Sequence, residues 1–379
     1  MFRLCAVSSI RSLCRVDEPP NRKGAALKSI RLGIIGVGFG QQVLAPAFGS
    51  DPRVTIAAIC ASRQDRARIV ADRLGIAGAM GDWRRMVATP EIDAIAIAVP
   101  PTQQAEIVVA AAVAGKHVFC EKPMALNVHG AGRMLEAAQT AGVVHAIDLL
   151  FPELEAFRKA KETLVCGVLG PIRSAALTWR VETRANRTQG ASWKTQSTQG
   201  GGALCNFASH TFHYLEWLLG PIERLGARLS GMPSAADARV DAWLEMAAGY
   251  PATVSIATDA FLGSGHVLEV YGEHGTLVLQ NRTSDHARGF SLWLGTREAG
   301  TLSQVACEAP PTEGDGRIAP VRRIAGRFVD AIAGAKPMSP DLHDGLRVQV
   351  LIDAARRSHE TGFAENVAHC SPLSTEKAA

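Results

Sequence analysis

The chain has 379 residues, 47% of them hydrophobic and 20% charged, with a formal net charge of +4 and a pI near 8.7. That length suits two domains, and because no apolar run reaches the ~18 residues a span requires, no membrane crossing is expected. The mild positive balance suits a small anionic cofactor but falls short of a nucleic-acid footprint, since the basic residues are scattered and form no stripe interleaved with aromatics.

Residues 1–29 carry several Arg and Ser but lack the apolar core of a secretory signal. They read as a disordered extension or an overlong start, with a transit peptide as the alternative. Residues 29–36 (SIRLGIIG) then read as a buried strand closed by glycine punctuation, followed by a helix over 41–48. The pattern repeats: strand 54–60, helix 64–74, strand 92–99, helix 103–114, strand 117–120, helix 127–141 and strand 143–147. The run IDAIAIAV is near-continuously apolar, as in a sheet covered on both faces. Strands alternating with helices predict an α/β architecture with a doubly wound parallel Rossmann sheet over 30–150.

The rhythm changes after residue 150. A helix over 152–165 leads into segments with two-residue alternation: 172–183, 224–229, 242–247, 253–258, 266–272 and 275–280. These predict an α+β domain over 151–369 with a mostly antiparallel sheet, one face covered by the helix that carries His210. Residues 303–316, rich in Pro, Gly and Glu, read as an exposed loop. Helices are expected over 321–332 and 344–361, the latter packing back toward the first domain, and 370–379 reads as a frayed tail. The eight cysteines (Cys5, Cys14, Cys60, Cys120, Cys166, Cys205, Cys307, Cys370) form no CxxC pair. They predict a reducing cytoplasm without disulfides.

Three features carry chemistry. Gly36-Val37-Gly38-Phe39-Gly40 lies between a strand and a helix, the context a dinucleotide turn requires. Gly36 permits the tight turn, Gly38 lets the backbone approach a pyrophosphate, and the helix N-terminus faces the anion. The third glycine falls one place early. Where the second strand ends, no carboxylate is present to grip a ribose 2′-hydroxyl; Ser62 and Arg63 stand there and suit a 2′-phosphate, so NADP is expected ahead of NAD. Glu121-Lys122-Pro123 follows a later strand end. Gly200 to Gly202 then run into a helical pattern that places Asn206, His210 and His213 at i, i+4 and i+7, on one face. In this order the three point to a nicotinamide-dependent oxidoreductase of a polyhydroxylated substrate.

The Gly36 turn, AGKHVFCEKP (114–123), Trp193-Lys194 ahead of GGGALCNFASH, and DGLRVQVLIDAARRS (344–358) together resemble the glucose-fructose oxidoreductase, inositol dehydrogenase and MocA (Gfo/Idh/MocA) family over roughly residues 30–360. The resemblance implies a Rossmann domain followed by an open-faced sheet domain, homo-oligomerisation through that sheet, and hydride transfer between NAD(P) and a carbon of a sugar, nucleotide sugar or cyclitol. It implies that Lys122 is catalytic, with His210 assisting proton transfer and Asn206 beside them. The cofactor is then expected along Gly36, Gly38, Phe39, Gly40, Ser62, Arg63, Pro100, Glu121 and Lys122, and the substrate along Asp148, Trp193, Lys194 and His213.

There are departures from the family pattern. Asn206 and His213 stand where aspartates are usual, Gln104 replaces a frequent histidine, and Leu149-Leu150 replaces polar and basic residues. An amide orients a hydroxyl but cannot take its proton. Two alternatives therefore stand beside the dehydrogenase: redox-neutral glycosidase-type chemistry, and a non-enzymatic dinucleotide-binding sensor or scaffold. No metal site is expected, since His210 and His213 lack a third ligand.

Overall fold

In this computed structural model the described residues are 29–188, 192–231, 236–283, 285–308 and 314–367. All of the expected N-terminal extension but Ser29, the tail over 370–379, and Cys5, Cys14 and Cys370 lie outside them.

Six parallel strands form the first sheet: β1 (Ile30–Ile35), β2 (Val54–Cys60), β3 (Gly78–Met80), β4 (Ala94–Ile97), β5 (His117–Cys120) and β6 (His145–Ile147). Their spatial order is β3-β2-β1-β4-β5-β6, so the order reverses between β1 and β4. Ligands of doubly wound sheets bind at the carboxyl ends of the strands beside such a reversal. Every residue of β4 is buried, as both faces of this sheet are covered. A π-helical turn (Gly40–Leu44) runs into α1 (Ala45–Gly49); α2 (Gln64–Leu74), α3 (Trp83–Val87), α4 (Pro101–Val113) and α5 (Val128–Ala141) follow. Local chemistry sets their ends. α4 opens on a proline. α5 starts where the Gly130 amide donates to Asn127 Oδ1 at 2.9 Å and stops at left-handed Gly142. β3 and α3 were not legible in the sequence, because three and five residues are too few for periodicity to register.

The second sheet has nine strands: β7 (Ile172–Arg180), β8 (Ile222–Gly231), β9 (Asp237–Met246), β10 (Pro251–Ala257), β11 (Gly265–Gly272), β12 (Gly275–Asn281), β13 (Ser291–Thr296), β14 (Ser303–Val305) and β15 (Glu365–Asn366). The order is β14-β13-β12-β11-β7-β10-β9-β8-β15. All neighbours are antiparallel except β7 and β10, which pair in parallel. β14 occupies the start of the segment expected to be loop, and β13 was not foreseen. One face carries α6 (Glu155–Val165) and α8 (Ser209–Leu219), the latter entered through a π-helical turn (Leu204–Ala208). Beneath them, Trp179 stacks on His266 at 4.2 Å, and Phe151 meets Phe157, Trp179 and Tyr214. The opposite face is partly open, with Trp243 and Tyr271 exposed. A short helix, α7 (Arg184–Thr188), leaves the end of β7.

The last two helices, α9 (Ile318–Ile332) and α10 (Leu342–Thr361), return to the first sheet. Phe328 of α9 joins Phe48 and Phe119 in an edge-to-face cluster with centroids 5.2 to 6.2 Å apart. α10 ties the two halves together. Its Asp353 accepts the Val128 amide at 2.8 Å, while its Arg347 pairs with Glu216 of α8 at 2.7 Å. Gly345 of α10 rides so close to Ile147 and Met124 that a Cβ would stand 2.7 Å from Ile147 Cδ1. Phe328→Ala should therefore cost about 3–5 kcal/mol, read as a lower urea midpoint. A loss below about 1 kcal/mol would contradict the docking of α9.

Candidate active site

Where β1 ends, the chain turns at Gly36, whose φ of 103° and a would-be Cβ 2.1 Å from Ala98 O admit no side chain. Gly38 has nothing within 4 Å of the place a Cβ would take, so its backbone faces open space. Gly40 packs on Ile34 instead and closes the helix onto the strand. A cleft of about 880 Å³ lies over this turn, lined also by Phe39, Ser62, Pro100 and Glu121. A bare glycine backbone at a helix N-terminus, above the strand-order reversal, fits a pyrophosphate and hence a dinucleotide.

A second cleft of about 790 Å³ opens over the end of β7 and the helix containing Asn206 and His210. The two clefts share Lys122, Leu150, Lys194, Asn206, His210 and Arg317, so they meet at one seam. Lys122 reaches this seam from the end of β5 in the first sheet and donates to the backbone carbonyl of Asn206 at 2.9 Å. The Asn206 side-chain amide donates to Gly202 O at 2.9 Å. The His210 ring packs edge-on against Phe151, and its Nδ1 is buried with no hydrogen-bond partner among the described residues.

Burial governs the electrostatics here. It pushes the Lys122 amine down to about 8, partly opposed by the neighbouring Glu121 carboxylate. Burial, and then the Lys122 charge, hold His210 well below the usual histidine range, so its imidazole is neutral at physiological pH. Glu121 is raised well above the carboxylate range by burial and by Asp148, and burial raises Asp148 too. Like charges in a shared buried site favour retaining a proton between them.

The structure redistributes several sequence expectations. Arg63 does not line the dinucleotide cleft; its guanidinium turns to solvent and pairs with Asp65. Arg66, one helical turn on, lines the cleft with Ser62 instead. His213 lines neither cleft but a separate hollow with Glu153 and Glu216. The i, i+7 reading assumed a regular helix, and the π-helical turn through Asn206 inserts an extra residue that shifts its phase. Asp148 and Trp193 line the dinucleotide cleft and not the second one. Arg317 was missed altogether. It enters the seam just ahead of α9, its guanidinium held by Asp315 and lying 5.0 Å from the Phe39 ring, and no motif marks it in the sequence.

Comparison with known proteins agrees with this geometry. A family model described as "Oxidoreductase family, NAD-binding Rossmann fold" matches residues 30–149, and the GFO/IDH/MocA C-terminal domain model matches 157–278. The chain belongs to the Gfo/Idh/MocA oxidoreductase family. It is 32% identical over 350 residues to an uncharacterized oxidoreductase of Synechocystis, covering 88% of this chain and 94% of that one. It is 25% identical to levoglucosan dehydrogenase of Pseudarthrobacter phenanthrenivorans, with 86% and 95% coverage. A solved levoglucosan dehydrogenase complex with NADH and levoglucosan superposes with a TM-score of 0.80 at 25% identity, covering 90% of this chain and all of that one.

Within this Gfo/Idh/MocA oxidoreductase the departures have visible consequences. Gln104 is buried beneath the Glu121-Lys122-Pro123 turn and donates to the carbonyls of Glu121, Pro123 and Met124, so it shapes the turn that presents Lys122. Leu150 places an apolar wall at the seam. Lys122, observed by NMR of ¹³C-labelled lysine, should titrate with a midpoint near pH 8. A midpoint near the ordinary value of about 10.4 would show a solvated amine and contradict the burial.

Proposed function

We propose that this oxidoreductase moves hydride between a nicotinamide dinucleotide and a hydroxyl-bearing carbon of a sugar, nucleotide sugar or cyclitol, with Lys122 as its proton-transfer group. The observation that carries the proposal is the seam: one half-buried amine reaches both the cleft over the Gly36 turn and the second cleft. The dinucleotide, when bound, supplies the hydride acceptor or donor. As an alcohol is oxidised, the neutral Lys122 amine takes the hydroxyl proton; in the reverse direction the ammonium returns it and offsets charge on the carbonyl oxygen. With its amine pushed down to about 8, Lys122 populates both forms near neutral pH. Neutral His210 acts as a hydrogen-bonding partner to the substrate hydroxyl, and Asn206 orients a neighbouring one.

Relatives named as levoglucosan dehydrogenase and as myo-inositol 2-dehydrogenase of Thermotoga maritima support net oxidation over the redox-neutral and non-enzymatic alternatives. In this reading residues 30–150 hold the dinucleotide and 151–369 supply the substrate side. The open face of the second sheet, with Trp243 and Tyr271 exposed, supports a homo-oligomer through that surface. A cytoplasmic enzyme is in keeping with free thiols at all five described cysteines, and no helix among the described residues is long and apolar enough to cross a membrane. NADP is preferred to NAD. No carboxylate ends β2, while Ser62 and Arg66 line the cleft just past it; Asp82, also lining it, accepts the Arg84 amide at 2.9 Å as a helix cap.

Lys122→Ala should lose about 10²- to 10⁴-fold in turnover with dinucleotide affinity retained, measured by steady-state kinetics beside a fluorescence titration. Undiminished turnover would refute the assignment. Arg66→Ala should raise KM for NADP about tenfold or more while sparing NAD, as loss of one charge-assisted hydrogen bond costs roughly 1.5–3 kcal/mol. Equal effects on both cofactors would overturn the NADP preference.

A further inference from the structure

The second cleft is lined by cations from five separate stretches of chain. Lys122 comes from the Glu121-Lys122-Pro123 turn, Arg180, Arg184 and Arg187 from the end of β7 and α7, Lys194 from the turn after α7, Arg282 from the end of β12, and Arg317, already paired with Asp315, from the approach to α9. Among the described residues two acidic side chains, Glu182 and Asp237, line the same space. Asp237 is already engaged, accepting the Leu204 amide at 2.7 Å at the start of the helical stretch that carries Asn206 and His210, where the positive helix end offsets its charge. Arg282 donates to a neutral partner, Gln280 Oε1 at 3.2 Å, and forms no ion pair among the described residues.

The dinucleotide does not account for this excess. Arg184, Arg187 and Arg282 line the second cleft and not the first, so their charge lies away from the pyrophosphate cradle at Gly36 and Gly38. A neutral polyol asks for acceptors as well as donors, since each hydroxyl has a proton to give. Guanidinium groups have none to offer, whereas their fork of N–H donors matches a carboxylate or phosphate. A cleft with an excess of one sign of charge also focuses the field and draws in oppositely charged ligands. Its volume of about 790 Å³ leaves room for a sugar bearing a substituent.

We propose that the substrate is an acidic carbohydrate whose carboxylate or phosphate faces Arg184, Arg187 and Arg282 while the reacting carbon lies at the Lys122 and His210 seam. The inference rests on the hydride-transfer reading and narrows its substrate class.

The test is calorimetric titration of the protein, loaded with reduced dinucleotide, against three matched pairs: glucose and glucuronate, glucose and glucose 6-phosphate, N-acetylglucosamine and UDP-N-acetylglucosamine. The pair that shows the effect separates carboxylate from phosphate. At low salt at least one acidic member should bind about tenfold or more tightly than its neutral partner, a difference of ~1.4 kcal/mol. That advantage should shrink at about 0.5 M salt, where surface charges are screened within a few ångströms. It should also shrink in the Arg184→Ala/Arg187→Ala/Arg282→Ala variant, with dinucleotide affinity retained as the check on folding. Neutral members binding as tightly in every pair, an acid preference that survives both salt and the variant, or no binding of any member would each overturn the proposal. Hydride transfer is followed separately by dihydronicotinamide absorbance. Turnover of neutral sugars alone overturns the acidic class and leaves the oxidoreductase standing. Acid binding without turnover of any sugar supports the acidic site and overturns hydride transfer.

Discussion

A single hydrogen bond from Lys122 Nζ to the backbone carbonyl of Asn206 spans the boundary between the two sheets. It joins residues 84 positions apart in the sequence and fixes where the amine stands. Because the amine is half-buried, it carries less solvation than in bulk water, and one carbonyl cannot satisfy three N–H donors. The remaining capacity faces the seam of the clefts. In the proposed mechanism reactivity follows from incomplete satisfaction: a group fully paired in the core would be inert, and one in bulk water would keep an ordinary pKa.

Holding that amine in place takes support from far along the chain. Gln104 of α4 grips the carbonyls of the turn that bears Lys122. Asp237 of β9 caps the helical stretch that carries the accepting carbonyl. α10 bonds to the start of α5 and to α8 through Asp353 and Arg347, so the helices flanking the seam are braced by one element. Each support is a polar contact with a defined partner, which fixes a position more sharply than apolar packing does.

Much of this was legible in the sequence, for physical reasons. Buried parallel strands must be apolar on both faces, so β1, β2 and β4 declare themselves, and the glycine at 36 stands where only glycine fits, while the one at 38 leaves the backbone open to the cleft. Lys122 and His210 were singled out by motif, and the structure brings both to the seam. What escaped was whatever depends on long-range geometry or a short element. β3 and α3 are too brief to show a period, the parallel pairing of β7 with β10 leaves no local trace, and Arg317 sits next to a polar loop with nothing to distinguish it. Two of the misplacements, Arg63 and His213, have visible local causes. The ion pair with Asp65 turned Arg63 away, and the π-helical turn rephased His213.

The account stands or falls on where the Lys122 amine goes when the clefts are filled. The most direct measurement is a crystal structure of the protein with both a nicotinamide dinucleotide and a sugar that it turns over. The expected result has Lys122 Nζ about 2.6–3.2 Å from an oxygen of the sugar, with His210 facing the same oxygen or its neighbour. A sugar bound elsewhere, with Lys122 still bonded only to the Asn206 carbonyl, would contradict it.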